Sequence, residues 1–295
     1  MVMSEQMQDL EKIMRQAIEE AKTSLKEGNS GFGALIVKGR DVISKAHDTD
    51  KTSGDPTRHA EIDAIRSAAA DLGGDLTECL LISTHEPCPM CSTAILWSGI
   101  SEVAYGYSIS DAINQGFRRV DISVREIFYR AGKKVMVHDN VLHDACGLLY
   151  NRSVRDCIDQ LRDTDEKKLK RLARDLTEKR LKWFAKNCSS VAGSDEKVLD
   201  AAYRIFLKKL GISQDQAKIA SRDGQSLVLQ SSNFCPTLEA CNILDLDTRY
   251  ICRHLTESPT TALLRQVHPK LRFSRNYDKI RPYCSYCEEM IILDA

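Results

Sequence analysis

Residues 80–91 read Leu80-Leu81-Ile82-Ser83-Thr84-His85-Glu86-Pro87-Cys88-Pro89-Met90-Cys91, and Val103-Ala104-Tyr105-Gly106-Tyr107 follows twelve residues later. The first five residues have the short apolar run of a buried strand. The prolines then suit a helix start, Pro87 to Ile100 predicts a helix, and 103–107 predicts the next strand. A strand, a crossover helix and a second strand imply a parallel pair.

Working outward toward the N-terminus, Leu10, Ile13, Met14, Ala17 and Ile18 mark one face of an amphipathic helix that ends near Gly28. Gly31-Phe32-Gly33-Ala34-Leu35-Ile36-Val37 predicts a strand, Lys38-Gly39-Arg40-Asp41 a hairpin turn, and Val42-Ile43-Ser44 the return strand. Asp55-Pro56-Thr57 reads as the start of a helix that carries Ala60, Ala64, Ile65, Ala68 and Ala69 and stops at Gly73-Gly74. Strands alternating with helices predict a three-layer α/β/α sandwich whose later strands run parallel.

The chain has 295 residues, 42 basic and 42 acidic side chains and 11 cysteines. That length suggests two domains. The charge is uneven. Residues 1–150 carry 16 Lys+Arg against 22 Asp+Glu, and 151–295 carry 26 against 20. We expect a catalytic domain over 1–155, a charged helical connector over 156–190, and a Cys-rich α+β domain over 191–295. Within the connector, Leu169, Leu172, Ala173 and Leu176 form a helical stripe, and Ser189 to Asp195 reads as a linker. The N-terminus lacks the layout of a signal peptide and there is no 18-residue apolar run, so the expectation is a cytoplasmic chain with no membrane span. In that compartment cysteines are thiols or metal ligands.

The chemistry gathers at two expected helix starts. His59-Ala60-Glu61 opens one and Pro87-Cys88-Pro89-Met90-Cys91 the other. One imidazole and two thiolates suit zinc and leave a fourth position for water. A helix N-terminus favours thiolate over thiol. Glu61, two residues beyond His59, points away from the metal contact and can carry protons between the water and a leaving amine.

This His-x-Glu … Pro-Cys-x-x-Cys pattern is the signature of zinc nucleobase deaminases. Residues 8–150 resemble the cytidine/deoxycytidylate deaminase-like superfamily, and within it the bacterial guanine deaminases. The resemblance rests on Gly31-Phe32-Gly33-Ala34, Asp55-Pro56-Thr57, His59-Ala60-Glu61, Glu86 to Cys91 and Ser110-Asp111-Ala112. It implies that His59, Cys88 and Cys91 hold Zn2+ and that Glu61 is catalytic. It further implies that Phe32, Asp48, Ala60, Pro87, Trp97 and Asp111 contact a small aminated heterocycle, and that the protein is a homodimer.

Two departures bear on the substrate. The family's base-reading asparagine is Asp48 here, and a carboxylate only accepts hydrogen bonds. Acidic residues that follow Gly116-Phe117 in guanine deaminases are replaced by Arg118-Arg119. Both positions also fit ordinary solvated roles. Two alternatives stand beside a small-molecule deaminase: a tRNA adenosine deaminase, which the acidic catalytic half opposes, and a non-catalytic base-binding metal or redox sensor.

Residues 235–295 contain Cys235, Cys241, Cys252, Cys284 and Cys287, in a setting that resembles L-2-amino-thiazoline-4-carboxylate hydrolase-like proteins. Three readings stay open. Four of the five could bind a second zinc or an iron–sulfur cluster, one could be a reactive thiol, or all are small buried side chains.

Overall fold

The computed structural model describes residues 2–188 and 197–295, with backbone only for 2–6. The expected linker over 189–195 lies outside the described residues. The chain divides into two compact units, 1–159 and 160–295. The expected boundary at 155/156 falls inside a helix, Arg152–Leu161.

In the first unit, helix α1 (Val2–Glu27) buries Leu10, Met14, Ala17, Ile18, Ala21 and Leu25 along one face. Strands β1 (Gly33–Lys38) and β2 (Asp41–His47) form the expected hairpin. A single turn, α2 (Asp50–Ser53), precedes α3 (Ala60–Leu72), which stops at Gly73 with φ 76°. Strand β3 (Cys79–His85), helix α4 (Pro89–Trp97) and strand β4 (Glu102–Tyr107) form the strand–helix–strand unit. Short helices α5 (Ile109–Asn114) and α6 (Val124–Arg130), strand β5 (Met136–His138), α7 (His143–Leu149) and α8 (Arg152–Leu161) complete the unit.

The sheet order is β2-β1-β3-β4-β5. β1 is antiparallel to β2 and β3, whereas β3–β4 and β4–β5 are parallel, with α4 as the crossover between β3 and β4. Ala60, Ala64 and Ala68 of α3 pack with Ile36, Leu81, Ile95 and Val103 in one core cluster. The small alanines let α3 lie close to the sheet. At Gly33 the approach of α1 is closer still, since a Cβ there would sit 2.0 Å from the Ala17 carbonyl oxygen.

One expected boundary is corrected. Asp55-Pro56-Thr57 does not begin α3. Asp55 instead accepts the Thr57 amide (2.9 Å) and hydroxyl (2.7 Å) in a turn, and the helix is entered at His59. A side chain two residues ahead satisfied the donors there before the helical ladder could start.

The second unit contains α9 (Glu166–Asn187), α10 (Val198–Leu210), β6 (Ala217–Arg222), β7 (Ser226–Ser231), α11 (Pro236–Leu244), α12 (Thr248–Leu255), α13 (Glu257–Leu264), β8 (Leu271–Asn276) and β9 (Cys287–Leu293). Its antiparallel sheet has the order β6-β7-β9-β8. Phe206, Leu227, Leu229, Leu271, Phe273 and Ile291 form its core, so it is α+β. Among the described residues, no helix is long and apolar enough to cross a membrane.

Candidate active site

His59 and Cys88 are the N-cap residues of α3 and α4, with extended backbones (φ −78°, ψ 150° and φ −66°, ψ 169°). Both side chains are thereby turned out of their helices toward a common point. Cys91, one turn into α4, joins them. Cys88 Sγ lies 3.6 Å from His59 Nδ1 and 3.6 Å from Cys91 Sγ, and Cys91 Sγ lies 3.4 Å from His59 Nδ1. A tetrahedral zinc with bonds of about 2.0–2.3 Å would place such atoms about 3.6–3.8 Å apart. The triangle therefore fits the ion, and these three residues can hold a metal. Among the described residues, this is the one group of three or more His, Cys, Asp or Glu ligand atoms within 4.8 Å of one another.

Electrostatics at the triangle already favour ligand states. The neighbouring thiol and the imidazole hold Cys88 down to about 4, and Cys88 in turn raises His59 to about 9. Hydrogen bonding to Cys88, together with burial, pushes Cys91 up. One thiolate is thus stabilised by a cation and a proton that a metal would replace.

Glu61 is buried beside this triangle and lines the same cavity, of about 190 Å3. Burial and the nearby Cys88 charge push its carboxyl up to about 7. Ser83 Oγ, on β3, donates to Glu61 Oε1 at 3.4 Å. A carboxyl poised near neutrality can both take and return a proton.

Phe32 also lines the cavity and packs edge-on to His85, with ring centroids 5.4 Å apart. Its support is an aromatic group with Tyr150 and Tyr107 behind it, and Tyr150 Oη bonds Thr84 Oγ1 at 2.9 Å. The remaining expected contact residues are not cavity-lining. Asp48 is buried, and both its oxygens are filled from its own chain. Oδ1 accepts Ser24 Oγ (2.6 Å) and the Phe32 amide (2.7 Å), and Oδ2 accepts the Ser30 amide (2.9 Å). Ala60 is buried in the first turn of α3, and Pro87 is buried with its carbonyl accepting Ser92 Oγ. Asp111 faces His143 Nε2 at 3.1 Å on α5. Trp97 stands 88% exposed at the end of α4.

Of the other cavity residues, Ser30, Asp50 and His85 carried no recognisable sequence signal, whereas Glu86 and Arg119 stand in stretches singled out above. His85 ends β3 and is 3% exposed. Its Nδ1 faces the Glu86 carbonyl oxygen at 2.8 Å, and because a carbonyl only accepts, that nitrogen carries the proton. Nε2 is then a bare acceptor, buried and without a partner among the described residues. Burial pushes His85 down to about 4, which keeps the ring neutral. Glu86 accepts the Ile109 amide and the Val124 amide, each at 2.9 Å, and so pins both ends of the segment carrying Arg119. Arg118 is exposed, whereas Arg119 lines the cavity with its guanidinium 5.4 Å from the Phe32 ring centre. Ser30 and Asp50 complete that wall, joined by a 3.0 Å hydrogen bond.

The sequence from residue 7 to residue 107 matches the family described as the cytidine and deoxycytidylate deaminase zinc-binding region. Guanine deaminase of Bacillus subtilis strain 168 is 40% identical over 109 residues, covering 36% of this chain and 70% of that relative. The chain belongs to the cytidine and deoxycytidylate deaminase family. It is a zinc-dependent hydrolytic deaminase, acting on C–N bonds of cyclic amidines. This deaminase is also similar to the tRNA-specific adenosine deaminase of Aquifex aeolicus, 42% identical over 96 residues, with coverage of 32% and 64%. Among solved structures, guanine deaminase from Nitrosomonas europaea aligns over 47% of this chain and 82% of its own, with 27% identity and a TM-score of 0.41.

The C-terminal cysteines do not gather into a second metal cluster. Although Cys235, Cys252 and Cys287 line one cavity, no three ligand atoms there approach within the 4.8 Å that marks the first site, among the described residues. Cys241 is buried in α11, and Cys284 Sγ donates to the Tyr286 carbonyl oxygen at 2.9 Å. Of the three readings, small packed side chains agree best with these surroundings.

Proposed function

We propose that this deaminase hydrolyses a small, planar aminated heterocycle of the guanine type to the corresponding carbonyl compound and ammonia. The carrying observation is the ligand triangle of His59, Cys88 and Cys91 sharing one cavity with a buried, near-neutral Glu61. When bound, zinc supplies the Lewis acidity that makes water reactive at neutral pH. Glu61 accepts a proton from the attacking water on its carboxylate and delivers it to the ring nitrogen, then takes the second proton from the newly added hydroxyl and passes it to the departing amine. Across the cycle one C–N bond breaks, one C–O bond forms and Glu61 returns to its starting state.

Phe32 gives the substrate a flat apolar face. His85 Nε2 accepts a ring N–H, and the Arg119 guanidinium faces a carbonyl or anionic oxygen. A lactam edge beside the amino-bearing carbon satisfies both. Asp48 acts through Phe32 and Ser30, whose amides it holds, as a positioning residue.

The exposed Trp97, with Tyr129 85% exposed on α6, supports a homodimer formed through the helical layer of α4 and α6. Cytoplasmic location and a small molecule rather than nucleic acid as partner complete the reading. A second reading, deamination of adenosine in tRNA, is favoured by the 42% identity to the Aquifex enzyme. The test measures ammonia release by zinc-loaded protein from guanine, adenine, cytosine, isocytosine, aminated triazines, pterins, nucleosides and tRNA. Release from a free base, lost in Glu61→Ala, supports the first reading, and release from tRNA alone replaces it with the second. Silence across the panel, with one zinc per chain, sinks both.

A further inference from the structure

The second unit contains its own cavity, of about 190 Å3. Its walls hold three guanidinium groups, from Arg180, Arg275 and Arg281, against one carboxylate, Glu289. Arg275 and Glu289 neutralise each other, since Arg275 Nε and Nη2 both reach Glu289 Oε1, at 3.1 and 2.9 Å. The other oxygen, Glu289 Oε2, is buried and has no partner among the described residues.

Arg180 is the unusual member. It lies on the otherwise highly charged α9 yet is only 5% exposed. It donates to the Thr256 carbonyl oxygen and the Thr260 hydroxyl, which are neutral. Among the described residues, no carboxylate comes within 4 Å of it. Burial pushes it down to about 10, a measure of how poorly a bare charge is tolerated there. Arg281 adds a buried Nε with no partner among the described residues. Cys235 and Cys252 do not supply the missing negative charge, because burial pushes both thiols up, Cys252 to about 12. Buried cations persist when an anion compensates them, and this cavity offers the space for one.

We propose that this cavity binds a small organic carboxylate, with its oxygens against Arg180 and Arg281 and an N–H or O–H donor facing Glu289 Oε2. Two guanidinium forks match a planar carboxylate. The volume equals about six waters at roughly 30 Å3 each, which limits the ligand to a few heavy atoms. Ile212 and Leu238 give its carbon body an apolar wall. The proposal is independent of which heterocycle the first site deaminates.

Calorimetric titration of the full zinc-loaded chain with L-alanine, acetate and inorganic phosphate tests it. The expected result is binding of both carboxylates, L-alanine the tighter because its ammonium reaches Glu289. Arg281→Met, at a half-exposed position, should weaken that binding at least tenfold, and Glu61→Ala should leave it unchanged. Should Arg281→Met fail to fold, protection serves instead: L-alanine should slow alkylation of Cys235 by iodoacetamide in the unmodified chain several-fold. Absence of binding by either carboxylate, equal binding by Arg281→Met, or unaltered Cys235 alkylation at saturating L-alanine would overturn the proposal. Binding of phosphate alone would overturn the carboxylate assignment.

Discussion

The Phe32 amide donates to Asp48 Oδ1 at 2.7 Å, and Ser24 Oγ reaches the same oxygen at 2.6 Å. With Ser30 N–H on Oδ2, three donors converge on one buried carboxylate, and the strand entry that presents Phe32 to the cavity is fixed by it. Asp48→Asn would place an NH2 group against at least one of these donors. We expect a loss of about 1–3 kcal/mol, the usual cost of a buried unsatisfied polar group. Urea unfolding measures it, and a raised KM should accompany it because Phe32 loses its anchor. An unchanged midpoint would contradict the role given to Asp48.

Glu61→Gln preserves size and removes the exchangeable proton. Deamination should fall by about 10²–10⁴-fold. Zinc content, read by elemental analysis, should stay at the level of the parent chain, because Glu61 is no part of the ligand triangle. Retained turnover would mean that another group carries the protons.

The triangle itself makes a second demand. Dialysis against a chelator should remove the metal and the activity together, and added zinc should restore both. Cys88→Ala or His59→Ala should bind less than a tenth of the parent's zinc at equal protein. If either variant kept full metal content, the ligand assignment would be wrong.

His85 predicts a pH dependence of stability. Its native value of about 4 lies below the ordinary 6.5 of the unfolded chain, so between these values the unfolded state binds more protons. Stability from this residue is therefore intact above about pH 6.5 and declines as the pH falls toward 4, by on the order of 3 kcal/mol. His85→Leu should flatten that part of the curve when unfolding midpoints are compared at pH 7 and pH 4.5. At neutral pH the same variant should discriminate less against an N-methylated ring. Parallel acid curves for the two proteins would refute the neutral, buried assignment.

The sequence was most readable where periodicity and punctuation coincide. The β1–β2 hairpin, α3 ending at Gly73, and the β3–α4–β4 crossover all have an apolar period bounded by Gly or Pro. That His59, Cys88 and Cys91 come together beside Glu61 was legible because they stand in the first turns of two helices with diagnostic spacing. His85 was not, and Arg119 was marked only as half of an Arg118-Arg119 pair whose two members the sequence did not tell apart. Nothing local distinguishes a histidine that keeps an acceptor bare from one that packs in a core, and Arg119 lines the cavity on a segment that Glu86 ties down at residues 109 and 124. Asp48 misled for a related reason. Its surroundings in sequence are polar, but its partners Ser24 and Phe32 lie 24 and 16 residues away. The buried Arg180 was hidden by its charged neighbours on α9.

His59 and Cys88 stand just ahead of the first turns of α3 and α4, and neither side chain is used as a helix cap. The two helices are held to the sheet by Ala60, Ala64, Ala68 and Ile95, through contacts that owe nothing to the ligands. Folding and loading are therefore separable events. Core contacts of this kind do not involve the ion, so the pool of folded protein and the pool of active enzyme can differ. Under metal scarcity, the supply of zinc rather than the rate of synthesis would set how much catalysis a cell obtains from it.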